Sequence, residues 1–463
     1  RGLSGGRLRG FVRPVLSFAH VRGRFSRAKT ARCGKILLRV AVVAAAGDRN
    51  VDRHEEKGKP PSMYWYDYIA ATAIGIQLFF LLQAWNNYRF NLVKFGKPRL
   101  WCELRTLVIV PCKGLDENFD QNIASFYDQD YDNFLLWFVV EDEGDAAYER
   151  LHALKDKLSE RSKAQGVRIL VAGKAMSSGQ KVHNLLYCYR NAPKDVDALA
   201  FGDSDACLRA TWLRHLLWPL RQDRYGAATG YRWFVPRRNN LASLALSSMN
   251  AKVAQLLGNT PFNQAWGGSM AITIETFEKI GLEGMWEHAL SDDLSLTYAV
   301  KKAGMKLAFI PACIVATHES TNWSGLLEFG RRQCLITRIT RPGTWVFGLV
   351  SSLFSVIGVW GGLIAAIYAA SVGAERFWLY AAVPATFVLC QIVRALVRQR
   401  MIGKMLEAYR DQMRAAAWAD IGLSWLWSIL MLGLIVSSAF GRTIQWRGIR
   451  YRLMGPTQTE RLN

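Results

Sequence analysis

Ala198-Leu199-Ala200-Phe201-Gly202-Asp203-Ser204-Asp205 is a short apolar run that breaks into two carboxylates spaced two residues apart. An unbroken apolar run of this length, ended by glycine and acids, reads as a buried strand running into a loop. Two carboxylates at a strand end make a site for a divalent cation and, through it, for a diphosphate. Asp-x-Asp also occurs in ordinary solvated turns, so the weight of this quartet depends on its neighbours.

Working outward, residues 106–111, 135–140 and 167–171 are similar β-branched or apolar runs. Amphipathic stretches such as 146–159 separate them, which predicts parallel strands in a Rossmann-like α/β sheet over residues 100–341. Such sheets bind ligands outside the carboxyl ends of their strands. Three of these strands end in polar loops: Pro111-Cys112-Lys113-Gly114, Glu141-Asp142-Glu143-Gly144-Asp145 and the quartet 202–205. A further acidic cluster, Ser291-Asp292-Asp293, precedes a helical pattern over 294–302. Ser291 or Asp292 serves as its N-cap, because helix starts favour short polar side chains. Asp293 is then left for chemistry, as a general base toward a hydroxyl.

The surrounding sequence is that of a membrane protein. Of 463 residues 51% are hydrophobic, enough for one sizeable globular domain and several membrane helices, and 17 Trp with 16 Tyr suit interfacial belts. Residues 69–85 form an apolar run that, with its aromatic flanks, predicts a membrane helix over 63–88. Arg89, Lys94, Lys97 and Arg99 follow without an acid, placing that side and the next domain in the cytosol by the positive-inside rule. Residues 344–440 carry about three more apolar helices, at 344–370, 377–396 and 421–440, and 441–463 form a basic tail. Counting spans puts that tail outside, whereas Arg442, Arg447, Arg450 and Arg452 argue for the inside; a broken or re-entrant 421–440 resolves the conflict, and so does a spanning helix whose tail arginines sit at headgroups. Residues 239–257 read either as an interfacial helix or as an ordinary core-facing amphipathic one.

Residues 1–62 hold 15 Lys and Arg against 4 Asp and Glu, so half of the net charge of +22 sits there. With that segment set apart, the remaining charge is what basic cytosolic loops supply, and no nucleic-acid-binding motif appears. The segment reads as a basic, disordered extension or transit sequence with no role in catalysis. The eight cysteines show no Cys-x-x-Cys and no paired spacing, so neither zinc nor a disulfide framework is implied.

Six motifs in order resemble those of GT-A membrane glycosyltransferases of family 2, and most closely the family 21, ceramide glucosyltransferase type. They are Pro111-Cys112-Lys113-Gly114-Leu115-Asp116-Glu117-Asn118, Glu141-Asp142-Glu143-Gly144-Asp145, Gly179-Gln180-Lys181-Val182-His183-Asn184-Leu185, Asp203-Ser204-Asp205, Ser291-Asp292-Asp293, and Ile444-Gln445-Trp446-Arg447-Gly448-Ile449-Arg450-Tyr451-Arg452-Leu453. The resemblance covers 107–453 and implies a GT-A, Rossmann-like cytosolic domain with transmembrane helices on both sides. It implies an inverting hexosyltransferase that moves glucose from a UDP-sugar to a lipid hydroxyl, that of ceramide, with Mn2+ or Mg2+ on Asp203 and Asp205. Lys113, Glu141, Asp142, Asp145, Lys181 and Asp203 would meet the nucleotide-sugar, and Asp293 with Asp292 the acceptor chemistry. The family's Q/R-x-x-R-W is absent in literal form. Its nearest counterpart is Glu328-Phe329-Gly330-Arg331-Arg332-Gln333, so the cation and aromatic fall to Arg331, Arg332 or Arg338, beside Gln333, with Trp323 or Trp345. Arginines here read equally as a patch for lipid headgroups. His183 and His318 read as structural before catalytic.

The implied location is an integral membrane protein with its catalytic domain facing the cytosol, in Golgi or endoplasmic reticulum in a eukaryote and in the inner membrane in a bacterium. Two other functions fit parts of the pattern: a polysaccharide synthase or polyprenyl-phosphate sugar transferase of the same fold, and a non-enzymatic membrane scaffold. The scaffold predicts loss of the acids, and all three acidic clusters are present.

Overall fold

The computed structural model describes residues 63–98, 102–374 and 376–462; the basic segment 1–62 lies outside them. The chain enters through a long helix, α1 (Met63–Phe95), whose apolar face fits a membrane. The β-rich region that follows builds one eight-stranded mixed sheet. Its first half is parallel: β1 (Thr106–Pro111), β2 (Phe134–Val140), β3 (Gly166–Val171) and β4 (Ala198–Gly202), with helices α2 (Phe119–Tyr127), α3 (Ala146–Leu158) and α4 (Gln180–Arg190) between them. Every residue of β2 and β4 is buried, as expected of strands covered on both faces.

The second half adds β5 (Ala206–Cys207), helix α5 (Trp212–Leu217), β6 (Tyr225–Pro236), helix α6 (Leu241–Ala254) and β7 (Ser269–Thr273). It closes with α7 (Ile274–Lys279), α8 (Leu282–Trp286), α9 (Asp292–Lys302) and the long β8 (Lys306–Glu319). The spatial order is β3-β2-β1-β4-β7-β6-β8-β5. Strand β7 runs antiparallel to β4 and pairs Ser269 with Gly202. The start of β7 therefore lies at the same edge as the ends of β1, β2 and β4, and that edge carries the site.

Beyond the sheet, α10 (Trp323–Thr340) leads to a membrane-length helix, Pro342–Ser371, made of α11 (Pro342–Val356), a π-turn at Ile357–Gly361 and α12 (Gly362–Ser371). The π-turn lies where Phe387 presses on Gly358, at which a Cβ would collide, and where Pro384 packs closely on Gly362. Helix α13 (Phe377–Met405) is the third long apolar helix. The last apolar stretch is broken: α14 (Arg414–Gly422) and α15 (Ser424–Ser437) meet at 84°. A three-stranded antiparallel sheet, β9 (Thr443–Trp446), β10 (Ile449–Gly455) and β11 (Gln458–Arg461), ends the described chain.

Helix α6 is buried along almost its whole length, from Ala242 to Ala251. It packs Ala242, Ala245, Leu246 and Met249 against Phe234 of the sheet and against Trp427 and Leu434 of α15, so it joins the globular and helical parts as a core element. At the same junction Arg398 and Asp420, both buried, form a bidentate ion pair, and Gln255 accepts a further Arg398 bond at 3.1 Å.

Candidate active site

Each site residue is delivered by a strand end or a helix start. The loop after β1 carries Lys113 and Asp116, the loop after β2 carries Glu141, Asp142 and Asp145, and the turn after β4 carries Asp203, Ser204 and Asp205. Lys113 pairs with Glu141. Asp145 caps α3 through the Ala147 amide at 2.9 Å and also accepts from the Gly114 amide at 2.7 Å, tying the first two loops together. Asp142 accepts from the Gly144 amide of its own turn at 2.9 Å.

The centre of the site is Lys181, in the first turn of α4. Its ammonium lies 2.7 Å from Asp203 and 3.0 Å from Asp292. Burial works against the charge of Lys181, but Asp203, Asp292 and Asp293 outweigh it and raise its pKa above the ordinary lysine range. Asp292 is itself 2% exposed, and burial raises its pKa against the pull of Lys181. The N-cap of α9 is Ser291, whose hydroxyl accepts from the Leu294 amide at 3.3 Å. The cap alternative for Asp292 is thereby excluded: its carboxylate points into the sheet edge at Lys181.

Asp293 is more open. It accepts from the Leu294 amide at 2.7 Å, from the Ser291 hydroxyl, and from the Gly267 amide at 3.2 Å. Three donors fix the direction of its carboxylate without burying it. Its neighbours come from Trp266-Gly267-Gly268, ahead of β7. A Cβ on Gly267 would sit 2.2 Å from Asp292 Oδ2 and 2.5 Å from Lys181 Nζ, and one on Gly268 would strike the Trp266 ring and Asp203 Oδ2. Close backbone approach requires glycine at both positions.

Asp205 carries the strongest sign of a missing partner. Its Oδ1 is buried without a hydrogen bond, and burial together with the charge of Asp203 raises its pKa well above the usual carboxylate range. Asp116, held by the Ser204 hydroxyl at 2.6 Å, adds to the same field. Five carboxylates, Asp116, Asp203, Asp205, Asp292 and Asp293, thus face three cations, Lys181, Arg232 and Arg447. An orphaned carboxylate oxygen in an excess of negative charge fits a divalent cation. Among the described residues no three His, Cys, Asp or Glu side chains converge as a complete ligand set. Asp203 and Asp205 would supply two carboxylate ligands to such an ion.

The C-terminal sheet closes over this edge. The turn between β9 and β10 is Arg447-Gly448, with φ of 50° and 82°, the paired positive values of a type I′ hairpin. Arg447 donates to Lys113 O at 3.1 Å and to Asp116 at 2.7 Å. Tyr451 accepts from the Gln180 amide at 3.2 Å, and Arg461 reaches Glu141 at 3.7 Å. The sequence marks this segment as a motif without pointing to a site residue in it. Asp116, Arg232, Trp266 and the glycine pair were also passed over; a Trp-Gly-Gly before a strand was the available signal.

The arginine-rich helix α10 divides. Arg332 stacks over Phe329 and Trp446, and burial with the charges of Arg232 and Arg447 lowers its pKa to about 10. Arg331 donates to Phe440 O at 2.9 Å, and Arg338 to Ala439 O and Gly441 O. Gln333 is exposed, and Trp345 donates to Ser438 at 2.9 Å. Trp323 is 46% exposed at the start of α10, so the aromatic ring beside the carboxylates is Trp266. His183 is bonded to Ala172 O at 3.0 Å, and His318 packs edge-on to Tyr409; both hold structure.

A family model described as Glycosyl transferase family 21 matches residues 68–458. No curated protein matches the chain. Among solved structures, a mannosyltransferase, PcManGT from Pyrobaculum calidifontis in complex with GDP-Man and Mn2+, is similar at 14% identity, covering 81% of this chain and 97% of that one with a TM-score of 0.40.

Proposed function

The chain belongs to glycosyl transferase family 21, and from that premise we propose that it transfers glucose from a UDP-sugar to the hydroxyl of a membrane lipid, ceramide, with inversion at the sugar. The observation that carries this reading is the gathering of Asp203, Asp292 and Asp293 around Lys181 at one sheet edge, with Asp205 beside Asp203, in a chain with three membrane-length helices. Asp293, oriented by three donors and more accessible than Asp292, takes the acceptor proton. Lys113, Glu141, Asp142 and Asp145 meet the nucleotide, and Lys181 with Arg447 and Arg332 offset charge on the departing diphosphate. Asp203 and Asp205 would hold a divalent cation, Mn2+ or Mg2+, which would supply Lewis-acid neutralisation of the diphosphate. Asp292 acts by holding Lys181 in place. Arg331 and Gln333, on the same helix, belong to the wall of the acceptor side. The catalytic domain faces the cytosol, at Golgi or endoplasmic reticulum membranes in a eukaryote or the inner membrane in a bacterium.

The test is to incubate membranes containing the full chain with a panel of labelled UDP-sugars and to extract the lipids. A product labelled from UDP-glucose and resistant to mild acid supports transfer to a lipid hydroxyl. Label released by mild acid would instead identify a glycosyl phosphate and replace ceramide by a polyprenyl-phosphate acceptor. Label retained in polymer would point to a synthase.

A further inference from the structure

Arg331, Arg338 and Arg442 come together where the chain leaves its globular part. Arg338 is pushed down from the ordinary arginine pKa by burial and then by the charges of Arg442 and Arg331, so the three guanidinium groups share one region. Their hydrogen bonds go to backbone carbonyls: Arg331 to Phe440 O, Arg338 to Ala439 O and Gly441 O, and Arg442 to Met454 O at 3.1 Å. Among the described residues none of the three is in an ion pair with a carboxylate. Carbonyl bonds orient a guanidinium but leave its charge uncompensated, and orienting it pre-pays part of the cost of binding an anion.

Beside them is a cavity of about 560 Å³ lined by Arg338, Ile339, Gly441, Arg442, Met454 and the Gly455-Pro456 turn. Its position relative to the apolar helices is specific. Arg338 lies four residues before Pro342, where a membrane-length helix begins, and Arg442 lies just past the apolar helix α15. Trp345 of the first helix bonds Ser438 at the end of the second, and Phe440 between them is 72% exposed. The cavity therefore sits at the ends of two apolar helices, with cations on its wall and the exposed Phe440 next in the chain to its Gly441.

We propose that this cavity binds the phosphate of an anionic membrane phospholipid, as a site separate from the carboxylate edge. Arg forks match phosphate oxygens, and cations at helix ends next to the headgroup layer favour anionic lipid. The proposal rests on the membrane reading of the two helices, and not on the identity of donor or acceptor, so a failed sugar-transfer assay leaves it standing.

The test uses the full chain in a neutral detergent, following its melting midpoint while titrating dihexanoyl phosphatidylglycerol, dihexanoyl phosphatidylcholine or inorganic phosphate. A ligand that binds only the folded state raises the midpoint. The expected result is a saturable rise with phosphatidylglycerol alone, and a requirement for roughly fivefold more of it in Arg442→Gln, the effect of about one interfacial cation. Arg338→Lys, which keeps charge but loses the fork, is the second variant should Arg442→Gln melt before lipid is added. Equal responses to phosphatidylcholine, wild-type response in both variants, or an equal effect of inorganic phosphate would each overturn the assignment to an anionic lipid.

Discussion

Asp292 and Asp293 are neighbours in the chain and opposites in environment, and that difference yields separable predictions. Asp293→Asn keeps shape and most hydrogen bonding but cannot accept a proton. Turnover of sugar to lipid should fall by about 10² to 10⁴-fold with donor binding nearly unchanged, as read by steady-state kinetics and UDP titration. Asp292→Asn removes one of the two carboxylates within ion-pair distance of Lys181, at a site 2% exposed, so its first effect should be a lower melting midpoint. If Asp293→Asn turns over normally, the base is elsewhere. Lys252 gives a pH prediction. Its amine donates to Ser424 O at 2.8 Å and Ser428 at 3.2 Å, and burial followed by the charge of Arg398 pushes its pKa down to about 7, with Asp420 opposing and Arg394 assisting. The unfolded chain, with lysine near its ordinary value of about 10, binds the proton more readily. Stability therefore rises with pH from about 7 to about 10 through this group. Lys252→Met should flatten the rise of the melting midpoint across that window, and a slope equal to wild type would remove Lys252 as its source.

At the scale of elements, the hairpin β9–β10 carries the most information. Arg447 is one of two non-glycine residues with positive φ among the described residues, the other being Asn118 in the Lys113 loop. A left-handed arginine costs about 1–2 kcal/mol, and here the strained residue is the one that reaches Asp116. Arg447→Asn fits the turn better while losing the guanidinium. Its melting midpoint should hold, and kcat/KM for the UDP-sugar should drop roughly tenfold, the worth of one charge-assisted hydrogen bond. A variant with full donor efficiency would reduce the hairpin to a structural cap. None of this was legible locally, since Arg447 meets a residue more than three hundred positions earlier. Strands β1, β2 and β4 were legible because each buries apolar side chains on both faces and so reads as a continuous run, whereas the edge strand β3 is only half-buried and carries the exposed Arg168. Strands β6 and β8 were not: Tyr225–Pro236 contains Gly226, Gly230 and two alanines, and Pro311 interrupts β8, so their extended form comes from pairing with one another. The carboxylates were visible as motifs, whereas Gly267 and Gly268 acquire meaning only when Lys181 and Asp203 press against them.

The whole molecule does not divide at the end of its catalytic sequence. Residues 64–463 form one compact unit, and its hydrophobic clusters cross the boundary near Arg341 repeatedly. Trp233, Val235 and Ile314 of the sheet are buried with Met401, Ile402 and Met405 of α13. Phe234 and Leu246 pack with Trp427 and Leu434, while Leu335 and Ile336 pack with Ile444, Tyr451 and Leu453. Removing everything after residue 341 would uncover three apolar faces at once and would leave Gln255, the acceptor for Arg398, and Lys252 without their buried partners. Each buried aliphatic side chain contributes about 1.5–3 kcal/mol, and a domain's net stability is only about 5–15 kcal/mol, so the loss exceeds the margin. A fragment spanning residues 102–341 should accordingly be insoluble or aggregated when made without detergent, while the chain from residue 63 onward, extracted in detergent, should melt cooperatively. Gel filtration and circular dichroism decide it. A soluble, monomeric fragment with a cooperative melt and UDP affinity equal to the full chain would show that the membrane helices merely tether the site; failure of the fragment together with a stable longer chain would mean that they also hold its outer sheet in place.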